Sequence, residues 1–167
     1  MIDLTDSEIG KCLDFSYKVS LTTEKYYKLR NKYASTEKII FDHAIAKMSE
    51  LVVYKYLTNK SYKVSYPSFK LKYDKGEDSD IYIIKDNKEI RIHCKICRHD
   101  SPVKNSWLIE KTSIKNLSEN DYFVLCRFHS PTNIEIMKII HHADINWREP
   151  QLKSLKSKLA CYLSDMN

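Results

Sequence analysis

The sequence predicts an α/β fold in the α+β range, with a mixed central β-sheet flanked by helices. Three observations predict it. Apolar residues recur at helical spacing through the first third of the chain. Period-two alternation then takes over, beginning with a hairpin over residues 78–97. Leucines return at helical spacing near the end.

The elements follow in order. Thr5-Asp-Ser-Glu8 has the spacing of a capping box and opens a helix carrying Ile9, Cys12, Leu13 and Phe15. Thr22 and Thr23 can cap a second helix over 24–32, basic and aromatic in composition. Ser35 starts the longest helix, over 35–57, with Ile40, Phe41, Ala44, Ile45, Met48, Leu51 and Val52 on one arc. Glu50 lies beside that arc, in line with His43 and Tyr54. It is either aimed into a site or paired with Lys47 as a boundary residue.

Strand signals follow at 62–66 and 69–73. In the hairpin, Ile81, Ile83 and Ile84 supply one strand and Asp86-Asn87 the turn. The return strand sends Ile90, Ile92, Cys94 and Ile96 one way and Glu89, Arg91, His93 and Lys95 the other. A short strand over 106–111, one or two helical turns over 112–117, and strands over 122–128 and 134–140 complete the middle. Pro150 begins a last helix with Leu152, Leu155, Leu159 and Leu163 inward.

Composition narrows the function. A chain of 167 residues is long enough for one domain with its own core. It divides into a helical extension (1–34), a core (35–140) and a C-terminal helix (141–167). With only Gly10 and Gly76, no glycine-rich phosphate loop or dinucleotide fingerprint can be built. An acidic N-terminus and the lack of an 18-residue apolar run point to a cytoplasmic protein with no membrane partner. A net charge of +6 favours a polyanionic partner. Five cysteines without an export signal are expected to be reduced thiols.

Two chemistries compete for the hairpin residues. Asp80 heads one strand, Lys95 lies on the next, and Glu50 arrives from a preceding helix. On these residues the sequence resembles the PD-(D/E)xK, restriction-endonuclease-like nuclease superfamily over about residues 35–140. Ser79-Asp80 is similar to that family's first acid, and His93-Cys94-Lys95 occupies its (D/E)-x-K triplet. Glu50 corresponds to the helix glutamate of many members. The resemblance implies metal-dependent hydrolysis of DNA with Mg²⁺ or Mn²⁺. Asp80, His93, Glu50 and the Cys94 carbonyl would hold the ion, and Lys95 would orient water and steady developing charge. His93 departs from the family's carboxylate and offers a softer ligand than Mg²⁺ prefers. Asp78 is the runner-up acid, and Glu89 shares the face of His93.

The second chemistry is zinc, from Cys94-x2-Cys97 and Cys126-x2-His129 with His93 and His99 nearby. Strand-forming residues between the paired ligands, with no glycine, speak against it. The DNA contacts expected are Lys25, Lys28, Arg30 and Lys32 on the second helix and Lys153, Lys156 and Lys158 on the last. Two cuts in a duplex would need two sites, hence a homodimer. The alternatives to an endonuclease are a silent DNA- or protein-binding module of the same fold and a zinc-stapled interaction domain.

Overall fold

The computed structural model of the chain describes residues 2–30, 35–71, 81–99, 106–152 and 155–165, with the backbone alone for 23–30 and 165. It is an α+β arrangement of two long helices, a mixed four-stranded sheet and a two-stranded ribbon.

Helix α1 (Asp6–Arg30) opens on the expected capping box. The Glu8 N–H donates to Thr5 Oγ1 at 3.2 Å, and the Thr5 N–H donates to Glu8 Oε2 at 2.8 Å. In place of the two helices expected here, one forms. No glycine or proline stands between residues 11 and 30, and the Thr22 hydroxyl donates back to the Val19 carbonyl at 2.9 Å instead of capping a new start. Helix α2 (Thr36–Asn59) begins where Ser35 Oγ accepts the Lys38 N–H. At 24 residues it is one shorter than α1, so it is not the longest helix.

The strands expected at 62–66 and 69–73 do not form within the described residues. Only a bridge between Val64 and Ile83 remains. Ser65 Oγ takes the Tyr82 N–H at 2.8 Å, and Pro67, which has no N–H to offer, follows two residues later. Residues 72 and 73 lie outside the described residues.

The hairpin forms as expected from β1 (Ile81–Lys85) and β2 (Lys88–Arg98). Asp86 and Asn87 hold φ of 50° and 58°, the positive pair that a two-residue turn of this hand requires. Next come β3 (Ser106–Glu110), a single 3-10 turn (Ile114–Asn116), β4 (Tyr122–Ser130) and β5 (Asn133–His141). The sheet order is β1-β2-β4-β5. The β2–β4 pair is parallel and the other two pairs are antiparallel.

The last helix is the main correction. Residues 158–162 are a strand, β6 (Lys158–Tyr162), antiparallel to β3. On its other side the backbone of Ala160 bonds Arg148 in both directions, at 2.8 and 2.9 Å. Without β6, β3 would bury a row of unpaired amides, and that cost outweighs the modest helical preference of a leucine spacing.

Both faces of the sheet are covered. Toward α1 and α2 lie Ile81, Ile83, Ile92, Cys94, Val124, Cys126 and Ile134, packed on Met48, Leu51, Val52 and Val53. Toward the β3/β6 ribbon lie Cys97, Phe123, Leu125 and Ile140, packed on Trp107, Ile109 and Cys161. The helices therefore flank one face and the ribbon the other. No helix of the described residues is long and apolar enough to cross a membrane.

Candidate functional site

Alternation in β2 places His93, Lys95 and Cys97 on the ribbon side. The parallel register sets His93 beside Phe123, and their rings stack at 4.9 Å between centroids. Two residues before Phe123, Asp121 closes the end of β4 and is buried. Its Oδ2 accepts from His93 Nε2 at 3.0 Å and from the Ser118 N–H at 3.1 Å. An ionised carboxylate can only accept, so His93 Nε2 is the donor in this contact. The Asp121 carbonyl in turn accepts the His142 N–H at 2.8 Å.

Around Phe123 stand His142, Trp147 and Trp107, with ring centroids at 5.9, 5.5 and 6.3 Å. His142 Nδ1 and both indole Nε1 atoms are buried without a hydrogen-bond partner in the structure. Burial pushes the His142 pKa down. His93 and His141 add to that shift, and the nearby Asp121 charge opposes it.

Glu50 is elsewhere. It is buried in an ion pair with Lys47, whose ammonium also donates to the Ser68 carbonyl at 2.9 Å. The Lys47 ammonium sits over the Phe15 and Phe69 rings, at 5.1 and 5.6 Å. The pair thus lies among α1, α2 and residues 68–69, on the helix side of the sheet. Its reach is felt at Cys12, whose thiol is pushed up to about 12 by burial first and then by the Glu50 charge.

The expected quartet is therefore not assembled. His93 and Lys95 share the ribbon face, and Glu50 is on the other. Asp80 and Asp78 lie outside the described residues. Glu89 is exposed and sits four residues from His93, about 13 Å along the strand, too far to take its place at an ion. Lys95 is half-buried and has no ion-pair or hydrogen-bond partner among the described residues.

The zinc spacing also divides. Cys94 and Cys126 face the helices and Cys97 faces the ribbon, so the Cys94-x2-Cys97 pair does not close on one point. His129 Nε2 is 3.1 Å from Glu135 Oε2. Among the described residues no three His, Cys, Asp or Glu side chains converge as ion ligands. Burial pushes the Cys126 thiol far above its ordinary value, as expected of a core thiol.

Of the basic residues expected to meet DNA, Lys32 and Lys153 and the side chains of Lys25, Lys28 and Arg30 lie outside the described residues. Lys156 is exposed in a loop, and Lys158 lies in β6, 3.7 Å from Glu110. With a strand in place of the last helix, these lysines share no helical face. Sequence reasoning missed a different group at the hairpin end of the molecule. Lys60, Lys63, Lys85 and Lys88 are all exposed there, and none has an acidic partner among the described residues. Asp121 was missed too. Its only signal was an acid at the head of an apolar strand, which acquires meaning once β4 is known to pair with β2.

No protein-family model matches the chain, and no curated protein is significantly similar to it.

Proposed function

We propose that this chain binds nucleic acid through its phosphates and does not hydrolyse it. The observation that carries this reading is the division of the hairpin constellation by the sheet. Glu50 is neutralised by Lys47 on one side, and His93 is held by Asp121 on the other. Hydrolysis by a hard divalent ion needs carboxylate oxygens converging on one point, and the described residues do not supply them. Binding needs less: exposed ammonium groups near one another. A net charge of +6 and the exposed lysines at 60, 63, 85 and 88, which have no acidic partner among the described residues, support that. The test is anisotropy of a labelled duplex between 50 and 200 mM salt. Contact with four phosphates gives a log–log slope of about −3 to −4. A slope near zero, or no binding at low salt, refutes the reading.

A second reading, a Mg²⁺- or Mn²⁺-dependent DNA endonuclease, is favoured by one feature. Imidazoles that ligate metals commonly donate their other N–H to a carboxylate, and His93 does so to Asp121. Lys95 lies two residues on along the same face. Among the described residues the donor set does not fit Mg²⁺, which prefers several hard oxygens. A plasmid-nicking assay with Mg²⁺ and Mn²⁺ separates the two readings. Nicking that disappears in Asp80→Ala and Lys95→Ala establishes the endonuclease and removes the silent module.

A further inference from the structure

Near the C-terminal end of α2 a cavity of about 260 Å³ opens between the helix and the sheet. Ile83, Ile92 and Val124 form its floor. Tyr56, Tyr62 and Tyr122 stand around it, with Lys60 and Lys85 at the rim. The volume is just under the range of about 300–1,000 Å³ typical of drug-sized ligands, so it admits one flat ring system and no longer chain.

The charges are sorted by strand alternation. Lys85 and Lys88 stand directly opposite each other across the hairpin, on the same face as Ile83 and Ile90. Like charges in that relation destabilise a hairpin. Glu89, opposite Ile84, is on the reverse face, and Asp86 is in the turn itself. The ammonium groups of Lys85 and Lys88 are thus on the cavity side, with the described carboxylates of the hairpin turned away or at the tip. Lys60 Nζ lies 5.3 Å from the centre of the Tyr56 ring, a cation held against an aromatic wall. The helix end does not oppose an anion here through bare carbonyls. Leu57 O accepts from the N–H groups of Lys60 and Tyr62, and Thr58 O from Ser61.

An apolar floor, tyrosine faces and a lysine rim together match a planar base joined to a phosphate. We infer that this cavity seats one unpaired nucleobase, with its adjoining phosphate at Lys60 and Lys85. The inference deepens the reading of the chain as a nucleic-acid-binding protein and rests on it. A base inside a duplex cannot enter, so single strands and frayed ends are the preferred partners.

The experiment compares a labelled 12-nucleotide single strand with the blunt duplex of the same sequence at one salt concentration, for the full chain and for Tyr62→Ala. Tyr62 is 46% exposed, so its removal leaves the core intact. The single strand is expected to bind about tenfold tighter than the duplex, within the range of one stacked base. Tyr62→Ala removes that preference and leaves duplex binding unchanged. Tyr122→Ala, checked for folding by its thermal transition, does the same. Adenosine monophosphate added as competitor distinguishes the source of the ligand. Displacement shows that a free nucleotide suffices, and lack of displacement shows that the phosphate must belong to a strand. Equal affinity for both oligonucleotides, unaltered by Tyr62→Ala, overturns the base seat and leaves phosphate binding standing. Binding to neither removes both.

Discussion

The two faces of the four-stranded sheet are packed by different means. Toward the helices the buried cluster is aliphatic side chains and thiols, from Leu51 and Val53 to Cys94 and Cys126. Toward the ribbon large rings join the aliphatic residues and thiols, with Phe123 between Trp107 and Trp147 and the His93–Asp121 pair at its edge. A helix offers an apolar stripe that meets a sheet with few polar groups. A two-stranded ribbon covers less, and large rings fill the gap along with polar atoms that need partners. Three of those atoms, on Trp107, Trp147 and His142, have none among the described residues. Each face nevertheless holds one buried pair, Lys47–Glu50 among the helices and His93–Asp121 beside the ribbon.

The largest expected effect tests whether the ring-filled face is as indispensable as the aliphatic one. Phe123 is fully buried, and Phe123→Ala should cost about 3–5 kcal/mol, against about 2–5 for Leu51→Ala. Urea denaturation of both variants measures this. A smaller loss at Phe123 than at Leu51 would make the ribbon an accessory to the core.

The two buried pairs sharpen the comparison next. Asp121→Ala strips an acceptor from His93 and from the Ser118 N–H and should cost about 3 kcal/mol. Glu50→Ala should cost about as much, because it leaves the Lys47 ammonium buried. The double change Lys47→Met/Glu50→Leu should recover most of that loss, since a matched apolar pair replaces two desolvated charges. If the double variant is no better than Glu50→Ala, the bond from Lys47 to Ser68 matters more than the pair.

A smaller loss, about 1 kcal/mol, is expected for Thr5→Ala, which removes one half of the α1 capping box. The thermal midpoint reports it. Smaller still is a pH effect. Burial holds His43 and His142 below the ordinary histidine value, so the unfolded chain binds more protons below about pH 6.5. Their contribution is complete above that pH and declines as pH falls toward their folded values. Thermal midpoints at pH 7.5 and 5.5 check the sign, and His142→Gln should reduce the difference.

The sequence by itself determined what is written in neighbouring residues. Alternation and an Asp-Asn turn made the hairpin legible, because both its strands and its bend are local. The caps at Thr5 and Ser35, and the strands on either side of residues 131–132, were readable for the same reason. Tertiary structure decided the rest. Residues 158–162 lie within a leucine spacing, 152, 155, 159 and 163, that suits a helix, and the unpaired amides of β3 selected a strand instead. His93 was legible as one of the polar set of its strand and as a candidate ligand, but its partner was not: the parallel register brought Asp121 to it from 28 residues away. Glu50 was legible as a residue beside an apolar arc and as a partner for Lys47, but which side of the sheet it would occupy was not. Helical phase fixes a direction relative to the helix axis. Only the packing of that helix on the sheet turns the direction into a place.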